Sequence, residues 1–338
     1  MKRGTSGLSM VLGVIKPSGM TSHDVVSKVR RIFNEKRVGH AGTLDPFATG
    51  VLPVLVGPAT RLNKYMASHD KSYVAEIEFG TSTSTDDRCG EVLHRGEVPA
   101  DVKDRAFAER LLYSFLGKSM QMPPAYSAIK VGGKKACDEA RKGNIITLEP
   151  RPIEVYAARL INICEVEDKV IWKVAFHVSK GTYIRALARD IGKRVGVPAH
   201  LRELERESVG CISMEDCCPL DKLEQRGASA AIDPIALLGM RVLFVNEEDA
   251  QRISHGGFVG SSDRIAYKRM DNGGDGGCSC LAPFVESTQP MEDGEAFAIV
   301  SENKLIAIYV YVESDKVLKP DCVFQEGISR GADIQPCR

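Results

Sequence analysis

GHAGTLDPFATG, residues 39–50, combines three glycines, one proline, one histidine and one carboxylate within twelve positions. Because glycine and proline interrupt both regular periods, we predict a shaped loop here rather than a helix or a strand. Asp45 is the single carboxylate of the stretch. Composition alone favours a turn in which Asp45 accepts a hydrogen bond from a following backbone amide. A catalytic carboxylate is the alternative, and the flanking sequence has to decide between the two.

Regular elements are predicted on both sides of this loop. A first strand is expected over residues 8–15. The capping-box pattern of Thr21 and Asp24, followed by apolar residues at helical spacing, predicts a helix over about 22–35. Alternation of apolar and polar side chains then predicts a half-buried strand that starts at Ser72.

Further along the chain, alternation over 170–178 predicts a second strand. The turn Glu167-Asp168-Lys169 precedes it and suits an antiparallel hairpin with the strand before. A short amphipathic helix is predicted from Ile184 to near Gly196, which is free to adopt the left-handed C-cap conformation. Since strands and helices mix without a βαβ rhythm, we predict an α+β fold with a mixed, mostly antiparallel sheet flanked by helices.

Length and composition predict two domains, a larger one over 9–230 and a small β-rich one over 239–338. The break is expected near 227–231, after which the sequence turns acidic. In the small domain, two strands over 295–300 and 304–312 are expected across a Ser301-Glu302-Asn303 turn, and the Gly-rich segment 271–281 is predicted to be a flexible loop.

The formal net charge is zero but unevenly distributed. From Arg241 to the end there are ten Lys/Arg and sixteen Asp/Glu, so the first 240 residues carry six more basic than acidic residues. Charge runs are usually solvated faces and suggest phosphate binding only where they flank a suitable site. Two basic clusters are of this kind: Lys28, Arg30, Arg31, Lys36 and Arg37, and then Lys130, Lys134, Lys135, Arg141 and Lys142.

Membrane and cofactor signals are weak. No apolar run reaches the roughly 20 residues that cross a bilayer, so a soluble, cytoplasmic protein is expected. The ten cysteines include Cys217-Cys218 and Cys278-x-Cys280 but no C-x-x-C pair, which favours reduced structural thiols over a metal site or a disulfide. No Gly-rich phosphate loop precedes a helix, and the sequence contains no credible cluster of metal ligands.

Several stretches, in this order along the chain, resemble the motifs of the TruB family of pseudouridine synthases. The resemblance spans about residues 11–215 and departs from the family at Glu205-Arg206, where Arg-Arg is frequent. The matching stretches are Ile15-Lys16-Pro17-Ser18-Gly19-Met20-Thr21-Ser22, residues 39–50, Lys71-Ser72-Tyr73 with Gly80, Thr83, Thr85 and Asp87, Pro123-Pro124-x-Tyr126-Ser127-Ala128-x-Lys130 with Gly133-Lys134-Lys135, Lys180-Gly181-Thr182-Tyr183-Ile184-Arg185, and Ala199-His200-Leu201-x-x-Leu204.

This resemblance implies the pseudouridine synthase fold with a small PUA-like C-terminal domain. It also implies an RNA-gripping insertion over about 120–150 in the larger domain. The implied activity is the isomerisation of uridine to pseudouridine in the T-loop of tRNA, at the position usually numbered 55. The implied partner is the T-arm stem-loop, bound by a monomer without metal or cofactor.

The resemblance also assigns roles to residues. Asp45 becomes the catalytic carboxylate, Arg185 its cationic partner, and Tyr73 the ring that stacks on the target base and serves in proton transfer from C5. Whether Asp45 attacks C1′, stabilises charge on the sugar or assists proton loss from it stays open. The residues expected to bind substrate are His40, which would fill the space left by a flipped base or hold the displaced pairing, Lys16 and Lys130, which would hold phosphates, and Tyr183 and Leu204, which would shape the pocket.

Two other functions remain compatible with these residues. One is an RNA-binding or tRNA-folding protein in which binding rather than chemistry is the main role. The other is a pseudouridine synthase that acts on ribosomal RNA, as the guide-dependent relatives do.

Overall fold

The computed structural model describes residues 6–66, 69–144, 146–167, 169–261, 265–269 and 284–331. The chain folds into two compact units. The first unit comprises Met1–Pro46, Gly50–Ser68 and Ser208–Arg338, and the second comprises Phe47–Thr49 and His69–Glu207.

The secondary structure is mixed. The helices cover Ser22–Ile32 (α1), Asn63–Met66 (α2), Arg105–Tyr113 (α3), Ala136–Ala140 (α4), Ile184–Val195 (α5), Leu223–Arg226 (α6), Pro234–Leu238 (α7) and Glu247–Ser254 (α8). The strands cover Met10–Lys16 (β1), Val38–His40 (β2), Thr49–Val56 (β3), Lys71–Phe79 (β4), Thr81–Thr83 (β5), Val92–Arg95 (β6), Gly117–Gln121 (β7), Lys130–Val131 (β8), Lys134–Lys135 (β9), Arg151–Val166 (β10), Lys169–Val178 (β11), Ala199–Val209 (β12), Ile212–Ser213 (β13), Cys218–Pro219 (β14), Ala231–Ile232 (β15), Arg241–Phe244 (β16), Val259–Gly260 (β17), Tyr267–Arg269 (β18), Phe284–Glu286 (β19), Ala296–Ser301 (β20), Lys304–Val312 (β21) and Val317–Ser329 (β22).

In the first unit, β1 is the centre of a small mixed sheet. It pairs in parallel with β14 and in antiparallel with β3 and β15, and β2 pairs with β3. Helix α1 buries Val25, Val26 and Val29 in a cluster that also contains Leu12 and Leu52. Burial of each such side chain contributes about 1.5–3 kcal/mol to folding. Helix α1 therefore packs as one layer against a layer formed by these strands.

The second unit contains a sheet in the order β12-β4-β11-β10-β7. The pairs β4–β11, β10–β11 and β7–β10 are antiparallel. Trp172 on β11 has no exposed surface, packs against Phe79 at a ring distance of 4.7 Å, and donates a hydrogen bond from Nε1 to Val102 O at 2.7 Å. This sheet is thus fixed on one face by a large aromatic residue whose polar group is also satisfied.

The C-terminal part of the first unit forms its own curled sheet, β17-β22-β21-β20-β16-β18-β19. One hydrophobic cluster joins this sheet to the N-terminal segments, because Leu55 and Met66 are buried with Ile308, Phe324 and Ile328. The predicted division at 230–239 stays a prediction, but residues on either side of it share a core.

The predicted α+β class, with a mixed and mostly antiparallel sheet, is confirmed. Helix α1 starts at the predicted residue and has the predicted capping box, but it ends at Ile32 rather than near 35, and Asn34 has a φ of 48°. The strand from Ser72, the hairpin of β10 and β11, and the left-handed cap at Gly196 are confirmed. Asp168 in the hairpin turn and the loop 271–281 lie outside the described residues.

Within the described ranges, the helices are all too short or too polar to cross a membrane.

An ion pair with no exposed surface lies in the first unit. Arg330, just after β22, donates from Nη2 to Oδ2 of Asp233 at 2.9 Å, and both side chains are 0% exposed. Asp233 also caps α7 by accepting from the backbone N–H of Ile235 at 3.1 Å. Neither charge can be hydrated in the folded chain, so each depends on the other.

We expect Arg330→Met to lower the free energy of unfolding by about 3–5 kcal/mol, because it leaves the Asp233 carboxylate buried without its counter-charge. Urea denaturation followed by circular dichroism measures this change. Lys319→Met is the control: Lys319 pairs with Asp315 at the surface, where both side chains are 38% or more exposed, and its loss should cost less than about 1 kcal/mol. Equal losses for the two variants would contradict this account.

Candidate active site

The stretch 39–50 is a loop only in its middle. Gly39 and His40 belong to β2, and Thr49 and Gly50 begin β3, so the prediction of an irregular segment throughout was wrong at both ends. The loop proper runs over 41–48, and Gly42 within it has a φ of 97°, which favours glycine. His40 lies opposite Val54 in the β2–β3 pair and is half-buried. The predicted base-wedging histidine is therefore a strand residue at the edge of the loop.

Lys16 ends β1 with a side chain that has no exposed surface. Its Nζ donates to the carbonyl oxygens of Pro17 at 2.8 Å, Met20 at 2.7 Å and Pro46 at 3.1 Å. The three N–H donors of the ammonium therefore meet three backbone acceptors. Lys16 holds the turn after β1 against the residue that follows Asp45, and its predicted contact with a phosphate stays a prediction.

Leu44, the residue before Asp45, is also held by hydrogen bonds. The hydroxyl of Ser22, at the start of α1 and 3% exposed, accepts from Leu44 N at 2.9 Å and donates to Leu44 O at 3.1 Å. Gly19 N donates to Pro46 O at 2.9 Å. Leu44 and Pro46, the two neighbours of Asp45 in the chain, are thus hydrogen-bonded to residues 16–22. These bonds restrict the position of the Asp45 backbone.

We expect Lys16→Met to lower the free energy of unfolding by about 1–3 kcal/mol, because three backbone carbonyls lose the charged donor that joins them. Urea denaturation measures the loss. Lys36→Met, at an exposed lysine of the same unit, is the matched control and should leave stability nearly unchanged. If both variants were equally stable, the ammonium would not be what holds this loop.

Tyr73 and Leu204 lie on neighbouring strands of the second unit. Tyr73 is on the buried face of β4, opposite Phe176 of β11, and is 7% exposed. Leu204 is on β12 and is also 7% exposed. Both residues are therefore core residues of the sheet, and their roles toward a base stay predictions.

Arg185 is in the first turn of α5 and is 5% exposed, so it is not the surface arginine that its position alone would suggest. Its Nη1 donates to Thr85 O at 3.0 Å, and its Nη2 donates to Tyr126 O at 3.0 Å. Asp87 supplies a carboxylate oxygen 3.4 Å from Nη1. The guanidinium is thus held by two segments distant in sequence, with a buried negative charge beside it.

Asp87, which the sequence placed in a family motif without giving it a role, lies beside Arg185. It is 4% exposed, and its Oδ1 accepts from the hydroxyl of Thr85 at 2.6 Å and from Cys89 N at 2.9 Å. A short backbone bridge links it to Leu201. Asp87 closes the stretch Gly80-x-x-Thr83-x-Thr85-x-Asp87, which resembles a family motif, and the crowding of hydroxyls before an aspartate was the available signal.

The predicted insertion contains a small exposed hairpin. Lys130 on β8 pairs with Lys135 on β9, across a turn at Gly132 and Gly133 whose φ angles are 57° and 82°. Lys130 and Lys134 are exposed, as phosphate-binding side chains would need to be. Tyr183 is the N-cap residue of α5, and its backbone N–H donates to Gln121 Oε1 at 2.9 Å.

Lys71, two residues before Tyr73, carries a perturbed ammonium. Burial, together with repulsion from Arg206 and Lys180, lowers the pKa of Lys71 from its ordinary 10.5 to about 8. Its Nζ donates to His69 O at 2.6 Å. The folded chain therefore disfavours the charged form of this side chain.

The shift predicts a pH dependence. Between about pH 8 and 10.5 the unfolded chain holds the Lys71 proton and the folded chain does not, so stability rises with pH across this window. Below pH 8 both states are protonated and the contribution is flat. Urea titrations of the parent chain and of Lys71→Met from pH 7 to 10.5 should diverge in favour of the parent only above pH 8. Parallel curves would contradict the shift.

Metal ligands do not cluster in the part of the chain that the structure describes, where no group of three or more His, Cys, Asp or Glu could hold an ion. Cys217 and Cys218 are buried thiols that form no disulfide. Cys278 and Cys280 lie outside the described residues.

Known proteins resemble this chain in sequence. A family model described as TruB family pseudouridylate synthase (N terminal domain) matches residues 30–184. The chain is 36% identical over 318 residues to tRNA pseudouridine synthase B of Geobacillus thermodenitrificans, with 93% of this chain and 99% of that one covered. It is 37% identical over 323 residues to tRNA pseudouridine synthase B of Bacillus subtilis, with 94% and 99% covered.

Solved structures share the fold. The structure of an H/ACA RNP bound to a substrate RNA containing 2′-deoxyuridine includes a chain that superimposes with a TM-score of 0.63 at 22% identity, with 94% of this chain and 86% of that one covered. Fold and matches define the class as pseudouridine synthases, which are isomerases that bind RNA. Within that class the chain belongs to the TruB family.

Proposed function

We propose that this enzyme converts uridine to pseudouridine in the T-loop of tRNA, at the position usually numbered 55. The observation that carries the proposal is the anchored loop. Leu44 and Pro46 are tied to Ser22, Gly19 and Lys16, so the carboxylate between them is presented from a fixed backbone. The relatives that match over nearly their whole length, and are named tRNA pseudouridine synthase B, support tRNA as the substrate.

The reaction breaks the N1–C1′ glycosidic bond, turns the base and forms a C5–C1′ bond; the proton lost from C5 is balanced by a proton gained at N1. It involves no redox change. Asp45 is the catalytic carboxylate of the proposal. Attack on C1′, stabilisation of positive charge on the sugar and assistance to proton loss from the sugar all require an ionised acid at this point. The anchored backbone limits the reorganisation that the carboxylate undergoes during the reaction.

Arg185 and Tyr73 complete the proposed catalytic residues. Arg185 supplies fixed positive charge, since its guanidinium is buried and held by Thr85, Tyr126 and Asp87. Tyr73 offers an aromatic face for the target base and a hydroxyl for the proton transfer from C5. Its place on a central strand, opposite Phe176, fixes the backbone that carries the ring.

Substrate binding requires the target base to leave its stack, which costs a few kcal/mol. His40 supports the displaced pairing in this proposal, while Tyr183 and Leu204 shape the pocket for the base. Lys130 contacts phosphates of the T-arm, which positions the RNA without reading its sequence. The enzyme acts as a monomer in the cytoplasm, and light scattering of the purified chain tests the monomeric state.

Asp45→Asn is expected to bind a T-arm stem-loop with nearly unchanged affinity and to lose turnover, because the amide cannot carry the negative charge. Carbodiimide-blocked primer extension on unmodified tRNA transcript detects pseudouridine, and filter binding gives the affinity. Asp101→Asn, an exposed carboxylate of the second unit, controls for the change of charge. Pseudouridine formed by Asp45→Asn would remove Asp45 from its role, and absence of a T-loop signal for the parent chain would sink the proposed substrate.

RNA folding is the second candidate function, and the exposed lysines of the β8–β9 hairpin favour it. The two functions separate in a competition between strains. A deletion strain that carries Asp45→Asn should lose to one that carries the parent gene if the chemistry is selected. Full recovery by Asp45→Asn would make RNA binding the selected function.

A further inference from the structure

The start of the insertion and the start of α5 are joined by side-chain hydrogen bonds in the second unit. We call residues Gln121–Tyr126 the insertion root and residues Tyr183–Arg189 the α5 turn. The insertion root leaves the edge strand β7 and leads to the exposed β8–β9 hairpin. The α5 turn carries Arg185.

Gln121 forms the first link. It is 3% exposed, its Oε1 accepts from Tyr183 N at 2.9 Å, and its Nε2 donates to Tyr183 O at 3.1 Å. Tyr183 is the N-cap of α5, and its carbonyl oxygen also accepts the intrahelical hydrogen bond from Leu187 N at 3.0 Å, so the amide of Gln121 binds the backbone at the start of the helix from outside it. A neutral side chain that both donates and accepts is needed here, which Gln supplies and Glu or Leu does not.

Arg189 forms the second link, one helical turn after Arg185 and on the same face of α5. Its Nη2 donates to Met122 O at 2.7 Å, and its Nη1 donates to Asp86 Oδ2 at 2.9 Å. Its Nε donates to Asp190 Oδ1 at 3.0 Å, so the planar fork is engaged at each of its three nitrogens. Asp86 precedes Asp87, the carboxylate beside Arg185.

Arg185 itself supplies the third link, since its Nη2 donates to Tyr126 O at 3.0 Å. The insertion root is thus bonded to the α5 turn at Gln121, Met122 and Tyr126. Any displacement of the root has to move or break these contacts, because Gln121 and Arg185 are both buried and closely packed.

We propose that Gln121 and Arg189 are positioning residues that transmit RNA binding at the insertion to the guanidinium of Arg185. The proposal deepens the proposed function and rests on it for the role of Arg185. The two residues do not touch the substrate. They fix the α5 turn when phosphates of the RNA hold the β8–β9 hairpin.

Amide hydrogen exchange tests the links without turnover. In the free chain, Gln121→Leu should speed exchange at Tyr183 by at least about threefold, the lower end of coupling between contacting residues. In the Asp45→Asn background, a saturating T-arm stem-loop should slow exchange over 183–190, and this slowing should disappear with Gln121→Leu or Arg189→Met. Unchanged exchange at Tyr183, or slowing that persists in both variants, overturns the proposal.

Kinetics supply the second readout. The single-turnover rate constant of Arg189→Met should fall between about 10-fold and 100-fold, as for a misplaced catalytic group, with the dissociation constant for RNA changed less than about twofold. Arg194→Met is the control on the same helix, since Arg194 is exposed and lies over the ring of Phe115. A weakened affinity with an unchanged rate would make Arg189 a phosphate contact and contradict the proposal.

Gln121→Glu preserves the size of the side chain and the acceptor for Tyr183 N but removes the donor, so it replaces Gln121→Leu if that variant does not fold. A parent chain that forms no pseudouridine in the T-arm defeats the proposed function, whereas the exchange measurements depend only on RNA binding and test the links separately.

Discussion

An ammonium without exposed surface, that of Lys16, sets the shape of the loop on which the proposed chemistry depends. Three backbone carbonyls take its three N–H donors, and two of them, Met20 and Pro46, belong to segments that local sequence would leave free to move. Ser22 pins the other side of Asp45 through Leu44. A buried charge is costly unless it is fully hydrogen-bonded, so the three carbonyls have to stay close to the ammonium in the folded chain. That is the property a catalytic loop needs, because a carboxylate on a mobile backbone would have to be ordered during the reaction.

The second unit uses the same principle with arginines. Arg185 and Arg189 project from one face of α5 toward Asp87 and Asp86, and both also donate to backbone carbonyls of other segments. Burial raises the pKa of Asp86 above its ordinary value, and the positive charges of Arg189 and Arg185 reduce the size of that rise. Buried ion pairs contribute little net stability compared with an apolar core, and their more frequent use is to specify position. Here the ion pairs fix the relative positions of the first turns of α5, the loop that carries Asp86 and Asp87, and the start of the insertion.

The C-terminal segment, residues 239–338, is acidic, and excess negative charge does not favour RNA binding. Its contacts indicate a structural role instead. Its last strand shares a hydrophobic cluster with β3 and α2, and Arg61 donates to Val323 O at 2.6 Å. Lys64 pairs with Asp321 at 2.7 Å. The fully buried ion pair between Arg330, after the last strand, and Asp233, before the segment, is a further contact that holds the segment in place. Asp321, one of the acidic residues of the segment, thus helps to hold the segment within its own unit.

Sequence by itself determined the class of fold, the capping box of α1, the alternating strands β4 and β11 and the left-handed cap at Gly196, because each depends on residues close together in the chain. The ordered motifs also determined the family. Local pattern could not show that Lys16 is buried and bonded to Pro46, since exposed and buried lysines look alike in sequence. It could not show that Asp87 lies beside Arg185, or that Gln121 closes the backbone of Tyr183, because these partners are 98 and 62 positions apart. Only tertiary structure brings such groups within hydrogen-bonding distance, and only there does desolvation turn ordinary side chains into fixed ones.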